Sequence, residues 1–68
     1  MKPGDAVFLS SPTWLRDDPK RGGAIEKYPQ GTILIILEED DPELYHRKVL
    51  APDGKIGWMF KDVLRMKV

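Results

Sequence analysis

Short apolar runs separated by turn residues dominate the chain. The first is Ala6-Val7-Phe8-Leu9, following Pro3-Gly4-Asp5. The second, Thr32 to Leu37, is rich in β-branched residues and is opened by Gly31. A third spans Tyr45 to Leu50 and a fourth Lys55 to Phe60. In the last, Leu64, Met66 and Val68 alternate with Arg65 and Lys67. No stretch of a dozen residues repeats its apolar positions with a helical period. Short apolar runs bounded by turn residues are the mark of strands. The pattern predicts an all-β domain with strands near residues 5–9, 31–38, 44–51, 54–60 and 64–68. Its expected core is Val7, Leu9, Ile33, Ile35, Leu37, Val49, Met59 and Leu64.

The connections sharpen this picture. Ala51-Pro52-Asp53-Gly54-Lys55 is the strongest turn signal. Pro52 has its φ preset for the first central position of a type I turn, and Gly54 can take a positive φ and close a hairpin with a bulge. The third and fourth strands are therefore expected to pair antiparallel. Glu38-Glu39-Asp40-Asp41-Pro42-Glu43 holds five carboxylates and a Pro. Such a segment belongs in a solvated loop. Ser10 to Gln30 is a connection of 21 residues broken by Pro12, Pro19, Gly22 and Gly23. Structureless loops of this length are usually functional or disordered. Ile25 and Tyr28 are expected to pack its far end back onto the body.

Length and composition restrict the rest. With 68 residues the chain forms one domain, residues 1–68. A chain so short buries roughly 60% of the surface its unfolded form exposes, so stability is thin. There is no Cys, which excludes disulfides and thiolate metal sites. Lys+Arg and Asp+Glu number 11 each, so no net field draws the chain to nucleic acid or to an anionic membrane. The longest apolar run, Ile33 to Leu37, is far too short to span a bilayer. Six Pro and six Gly punctuate the chain too often for long helices.

The order of elements resembles the SH3-like barrel, most closely from Gly31 to the C-terminus. Gly31-Thr32-Ile33-Leu34-Ile35-Ile36-Leu37 looks like that family's Gly-then-apolar second strand. Tyr45 stands where its third strand begins with an aromatic residue, and Gly54 where its hairpin Gly falls. Gly57-Trp58-Met59-Phe60, followed by Lys61-Asp62-Val63-Leu64, is similar to its Gly-aromatic-aliphatic-Pro segment and one-turn 3₁₀ helix. Gly54-x-x-Gly57-Trp58-Met59 is closer still to bacterial SH3 domains. The chain also looks like small phage-encoded proteins with an SH3-like barrel, which would place it in the host cytoplasm. Near the N-terminus, Ala6-Val7-Phe8-Leu9-Ser10 echoes the family's first strand. Phe60, Val63 and Ser10 replace the groove Pro and two groove Tyr residues, positions that grip polyproline II ligands in eukaryotic members. Gly4-Asp5-Ala6-Val7 is similar to the start of KOW-type barrels of transcription and ribosomal proteins.

Candidate chemistry is sparse. His46 is the one His, and its neighbours Arg47 and Lys48 repel a cation. It reads as an ordinary strand residue. Ser10 and Ser11 have no sequence tie to His46. Arg21-Gly22-Gly23-Ala24 lacks the Lys-Ser/Thr continuation of a phosphate loop. The acidic segment lacks the Gly and ligand spacing of a Ca²⁺ loop. No enzymatic activity, cofactor or metal is expected.

The aromatic residues carry the functional signal, because Trp and Tyr give large, rigid contact area at low entropic cost. The resemblance places Tyr45, Trp58 and Phe60 in a groove, with Trp14 on the long loop beside it. Strand alternation sets Ile56, Trp58 and Phe60 against Gly57 and Met59. Apolar bulk alone would turn Trp58 inward; the resemblance turns Met59 inward. The leading expectation is a cytoplasmic, non-enzymatic module that docks a protein through Trp14, Tyr45, Trp58 and Phe60, with no membrane role. One alternative is a KOW-like nucleic-acid binder using Arg47, Lys48, Lys55, Lys61, Arg65 and Lys67. Another is a structural homo-oligomer, because the second strand is apolar on both faces.

Overall fold

The computed structural model describes residues 1–20 and 23–66. Lys67 and Val68, the end of the last expected strand, lie outside them, as do Arg21 and Gly22. The fold is all-β. Its strands are β1 (Ala6–Leu9), β2 (Thr13–Arg16), β3 (Ala24–Tyr28), β4 (Ile33–Ile36), β5 (His46–Leu50), β6 (Ile56–Phe60) and β7 (Leu64–Met66). A 3₁₀ turn, Lys61–Val63, separates β6 from β7. The strands form one antiparallel sheet in the order β3-β2-β6-β5-β4-β1-β7. Among the described residues no ladder closes its two ends into a barrel.

Among the described residues there are seven strands where five were expected. The extra pair, β2 and β3, lies in the long connection, which is a hairpin and not a structureless loop. At its tip the Asp17 and Gly23 backbones are joined, and the Asp17 carboxylate accepts from the Gly23 N–H at 2.8 Å. Tyr28 is buried at the base of the hairpin, as expected, whereas Ile25 is exposed.

The core lies on one side of the sheet. Val7, Leu9, Leu15, Leu34, Ile36, Val49 and Met59 are fully buried, with Leu64 close behind. Five of the eight expected core residues are among them. Ile33, Ile35 and Leu37 are not: Ile33 is exposed and the other two are half-buried. The second apolar run packs through its other face. Cross-strand pairing decides the matter, since opposed residues share a face. Leu34 lies opposite Val7, and Ile36 opposite Val49. Both partners are core residues, so Leu34 and Ile36 turn inward with them.

The tight turn has the expected form. Ala51 C=O accepts from the Gly54 N–H at 3.0 Å, and Ala51 N–H donates to the Lys55 carbonyl at 2.8 Å. Gly54 has φ +88°, which side chains with a Cβ resist. Asp53 then reaches beyond its own hairpin. The buried Tyr28 hydroxyl donates to both its carboxylate oxygens at 2.8 Å. This clasp ties the end of β3 to the β5–β6 turn.

Gly57 admits the extra hairpin. It is buried on β6 with its missing side chain toward β2. A Cβ there would overlap the Arg16 carbonyl oxygen and stand 2.9 Å from Leu15 Cγ. Only a bare backbone allows β2 to lie this close.

Two outcomes follow. Gly57→Ala should cost about 1–3 kcal/mol, the usual penalty for overfilling a packed core, with denaturant titration as the measure; wild-type stability would place β2 elsewhere. Desolvation first, and then the bond to Asp53, push the Tyr28 hydroxyl up to about 12 from an ordinary 10.0. The unfolded chain therefore loses this proton first, and stability should fall as pH rises from 10 to 12. Tyr28→Phe should remove that part of the alkaline limb in equilibrium unfolding.

Candidate binding site

Alternation along β6 turns Met59 and Gly57 inward and leaves Ile56, Trp58 and Phe60 on the outer face. Trp58 is half-buried and Phe60 is 39% exposed. The β5–β6 pairing fixes their neighbours. Phe60 lies opposite His46, with ring centroids 5.8 Å apart and planes tilted by 59°. Trp58 lies opposite Lys48, whose Nζ stands 5.4 Å above the ring. On its other side Trp58 pairs with Arg16 of β2.

Trp14 is two residues from Arg16 on β2 and shares its face by alternation. Antiparallel pairing carries it toward the Phe60 end. It is 44% exposed, with Lys27 Nζ 5.9 Å from its ring. Tyr45 departs from the expected group. It precedes β5, is 68% exposed, and its ring lies beside the Lys61 ammonium at 5.9 Å. His46, and not Tyr45, stands across from Phe60.

A cleft of about 340 Å³ opens beside Trp58. Trp58 and His46 form its sheet side, and Glu38, Glu39 and Asp41 of the acidic loop form the other. Lys48 crosses between them, 3.4 Å from Glu38 Oε1. The loop is less free than its composition implies. Arg47 projects from β5 into the protein and is only 8% exposed. Its Nε donates to Asp40 Oδ1 at 2.9 Å, and its Nη1 to the Leu44 and His46 carbonyls at 2.8 and 3.0 Å. The N-terminal ammonium meets the other Asp40 oxygen at 3.2 Å. Partial burial alone would raise the Asp40 carboxyl; these two cations outweigh it and hold it below the usual range. The acidic loop is thus pinned from beneath by a buried guanidinium.

His46 is the unsatisfied group of the site. Its Nδ1 is buried without a hydrogen-bond partner. Burial, and then the charge of Arg16, hold its pKa below 6.5 against the opposing effect of the Pro19 carbonyl. The neutral form of the imidazole is thereby favoured next to Phe60, with the Arg16 charge nearby.

Of the basic residues, Arg47, Lys61 and Arg65 line one hollow with Met1, where Asp40 and Asp62 stand among them. Arg47 is buried on Asp40, Lys48 pairs with Glu38, and Lys55 pairs with Asp53 and Glu26. Lys61 covers Tyr45, and Arg65 donates to the Asp62 and Leu64 carbonyls. Lys67 lies outside the described residues. Ser10 Oγ donates to the Val63 carbonyl at 3.2 Å, tying β1 to the 3₁₀ turn. Among the described residues no three His, Asp or Glu side chains are grouped to hold a metal ion, and no helix is long and apolar enough to cross a membrane.

His46 and the loop carboxylates were not among the expected site residues. One signal pointed to His46. The Ala51–Lys55 pairing at the turn, carried back along the hairpin, sets His46 opposite Phe60 and Lys48 opposite Trp58.

Stability should fall as pH drops below about 6.5, because the unfolded chain takes up a proton on His46 before the folded one does. Denaturation between about pH 7 and 5, in the range where His titrates, should show this loss in the wild type, and His46→Phe should flatten it. An equal loss in the variant would assign the effect to another group.

No protein-family model, curated protein or solved structure matches the chain.

Proposed function

We propose that the chain is an SH3-like, non-enzymatic interaction module that docks a protein segment between its outer-face aromatics and its acidic loop. The observation that carries this reading is the cleft beside Trp58. Trp58 and His46 border the carboxylates of Glu38, Glu39 and Asp41 there, and Phe60 extends the aromatic area next to His46. Such a surface suits an extended segment with an apolar residue for the rings and a basic one for the loop. The SH3-like part is supported by the β6-β5-β4-β1-β7 order, the Gly54 hairpin and the 3₁₀ turn before β7. Those elements follow the sequence in the order that the resemblance implies. Arg47, Lys48 and Lys55 are paired with carboxylates, and the hollow shared by Arg47, Lys61 and Arg65 also holds Asp40 and Asp62, which supports this reading over nucleic-acid binding. A phage origin would make the partner a host or virion protein, met in the host cytoplasm.

A random peptide library selected on the folded domain tests the proposal. Enriched peptides should be apolar with at least one Lys or Arg and should shift the indole N–H resonance of Trp58. Trp58→Ala should weaken them roughly thirtyfold, the effect of losing an aromatic anchor worth about 2 kcal/mol. The variant should stay folded, since the ring is partly in water. Selected peptides that bind Trp58→Ala as tightly as the wild type would refute the site.

A further inference from the structure

The cleft beside Trp58 already holds a cation, and it is the chain's own. Lys48 lies opposite Trp58 on β5, with its Nζ 5.4 Å from the centre of the indole ring and 3.4 Å from Glu38 Oε1. Two other lysines stand over aromatic rings, Lys27 over Trp14 and Lys61 over Tyr45. Among the described residues neither of these is paired with a carboxylate. Lys48 alone of the three combines a ring face with an ion pair, and it does so inside a cleft.

The walls around it are fixed, but the side chain is not. The Leu37 N–H donates to the Lys48 carbonyl at 3.0 Å, which sets the start of the acidic loop against β5 and Glu38 beside Lys48. Arg47 holds the next part of the loop through Asp40, and the β5–β6 pairing holds Trp58. The distance from Lys48 to Glu38, by contrast, exceeds the roughly 2.7–2.9 Å of a charge-assisted hydrogen bond. Glu38 is 60% exposed, and ion pairs in water contribute little. A cation on a half-exposed ring adds a modest attraction. The flexible four-carbon stem can swing away without moving the backbone.

Charge favours a second cation over the resident one. Glu38, Glu39 and Asp41 line the cleft, and Lys48 meets only Glu38. Arg47 lines it too, but is committed to Asp40 and backbone carbonyls. Among the described residues the carboxylates of Glu39 and Asp41 meet no cationic side chain. We infer that Lys48 is a resident competitor in the cleft: its ammonium holds the place that a partner's lysine or arginine takes, and docking proceeds by exchange of one cation for the other, an assignment that rests on the docking reading above. The incoming cation takes the Trp58 face and Glu38 as Lys48 does, and Glu39 and Asp41 add attraction that the free chain leaves unused. An uncharged side chain can take the ring face only by leaving Glu38 without its cation. The exchange therefore selects for charge.

Two probes separate charge from size: Nα-acetyl-lysinamide and its uncharged isostere Nα-acetyl-norleucinamide. Each is titrated into the folded domain, with the Trp58 indole N–H and the Lys48 ε-methylene resonances as readouts. In the wild type the ring current of Trp58 should displace the ε-methylene signal. Saturating acetyl-lysinamide should return that signal to its position in Trp58→Ala. Lys48→Met, which keeps the length of the stem and removes the charge, should bind acetyl-lysinamide about tenfold more tightly than the wild type, the combined effect of a ring contact and an exposed ion pair. Acetyl-norleucinamide should gain less than about twofold, and Lys48→Arg should show no gain for either probe. The wild-type displacement serves even if Lys48→Met does not fold. Acetyl-lysinamide that fails to bind, that binds while the Lys48 signal stays in place, or that binds Lys48→Met no more tightly would overturn the exchange, as would an equal gain for the neutral probe. Selected peptides that meet Trp58 with Lys48 still in place would leave the docking reading standing and remove the exchange. Exchange of the small probe with no peptide selected would do the reverse.

Discussion

The absence of a side chain at Gly57 governs the architecture. The position is buried, and the space a Cβ would fill is taken by the Arg16 carbonyl and the Leu15 side chain. Close approach there lets β2 pair with β6 and delivers Leu15 to the core. In a domain this small one more fully buried Leu is worth about 2 kcal/mol of apolar burial, a substantial share of what holds such a fold together. The same approach brings β2 alongside Trp58, so the wall of the candidate site and the completion of the core are one event.

Two side-chain links then do what the backbone ladder leaves undone. The sheet ends at β3 on one side and β7 on the other, but Tyr28 fastens β3 to the β5–β6 turn through Asp53. Arg47 fastens the acidic loop to β5 through Asp40 and three backbone carbonyls. A guanidinium this deeply buried is tolerated because five donors in a fixed fork meet oxygen acceptors already pointing inward. Removing either link would leave a buried polar group without its partner, the costly case in a low-dielectric interior.

The sequence made the all-β class legible because the runs it marked are short and separated by residues that turn the chain. The Gly54 turn was legible for a stronger reason: it sets the hairpin register, and with it the pairs across β5 and β6. The inward face of β4 was not legible. Ile33, Ile35 and Leu37 are as apolar as Leu34 and Ile36, so alternation had nothing to choose by until Val7 and Val49 supplied partners. The β2–β3 hairpin was hidden because Thr13–Arg16 carries a single inward apolar residue, flanked by Pro12 and Asp17. Trp14, Trp58 and Phe60 were singled out by their chemistry and by the resemblance, and strand alternation puts them on the outer face. The resemblance drew Tyr45 into the same group as an aromatic at the start of the third strand, although it lies before the strand that carries His46. Arg47 looked like surface, since nothing local marks a charge whose acceptors arrive from a loop several residues away.

That loop separates two tasks usually entangled in a binding surface. Its path is held by Asp40 and by backbone oxygens, while Glu38, Glu39 and Glu43 are exposed, Glu38 reaching across the cleft to Lys48. Backbone acceptors do not depend on which side chain follows them. The exposed positions are therefore open to exchange without reshaping the loop, and the preference of the cleft can drift from basic to neutral or acidic partners over an unchanged scaffold.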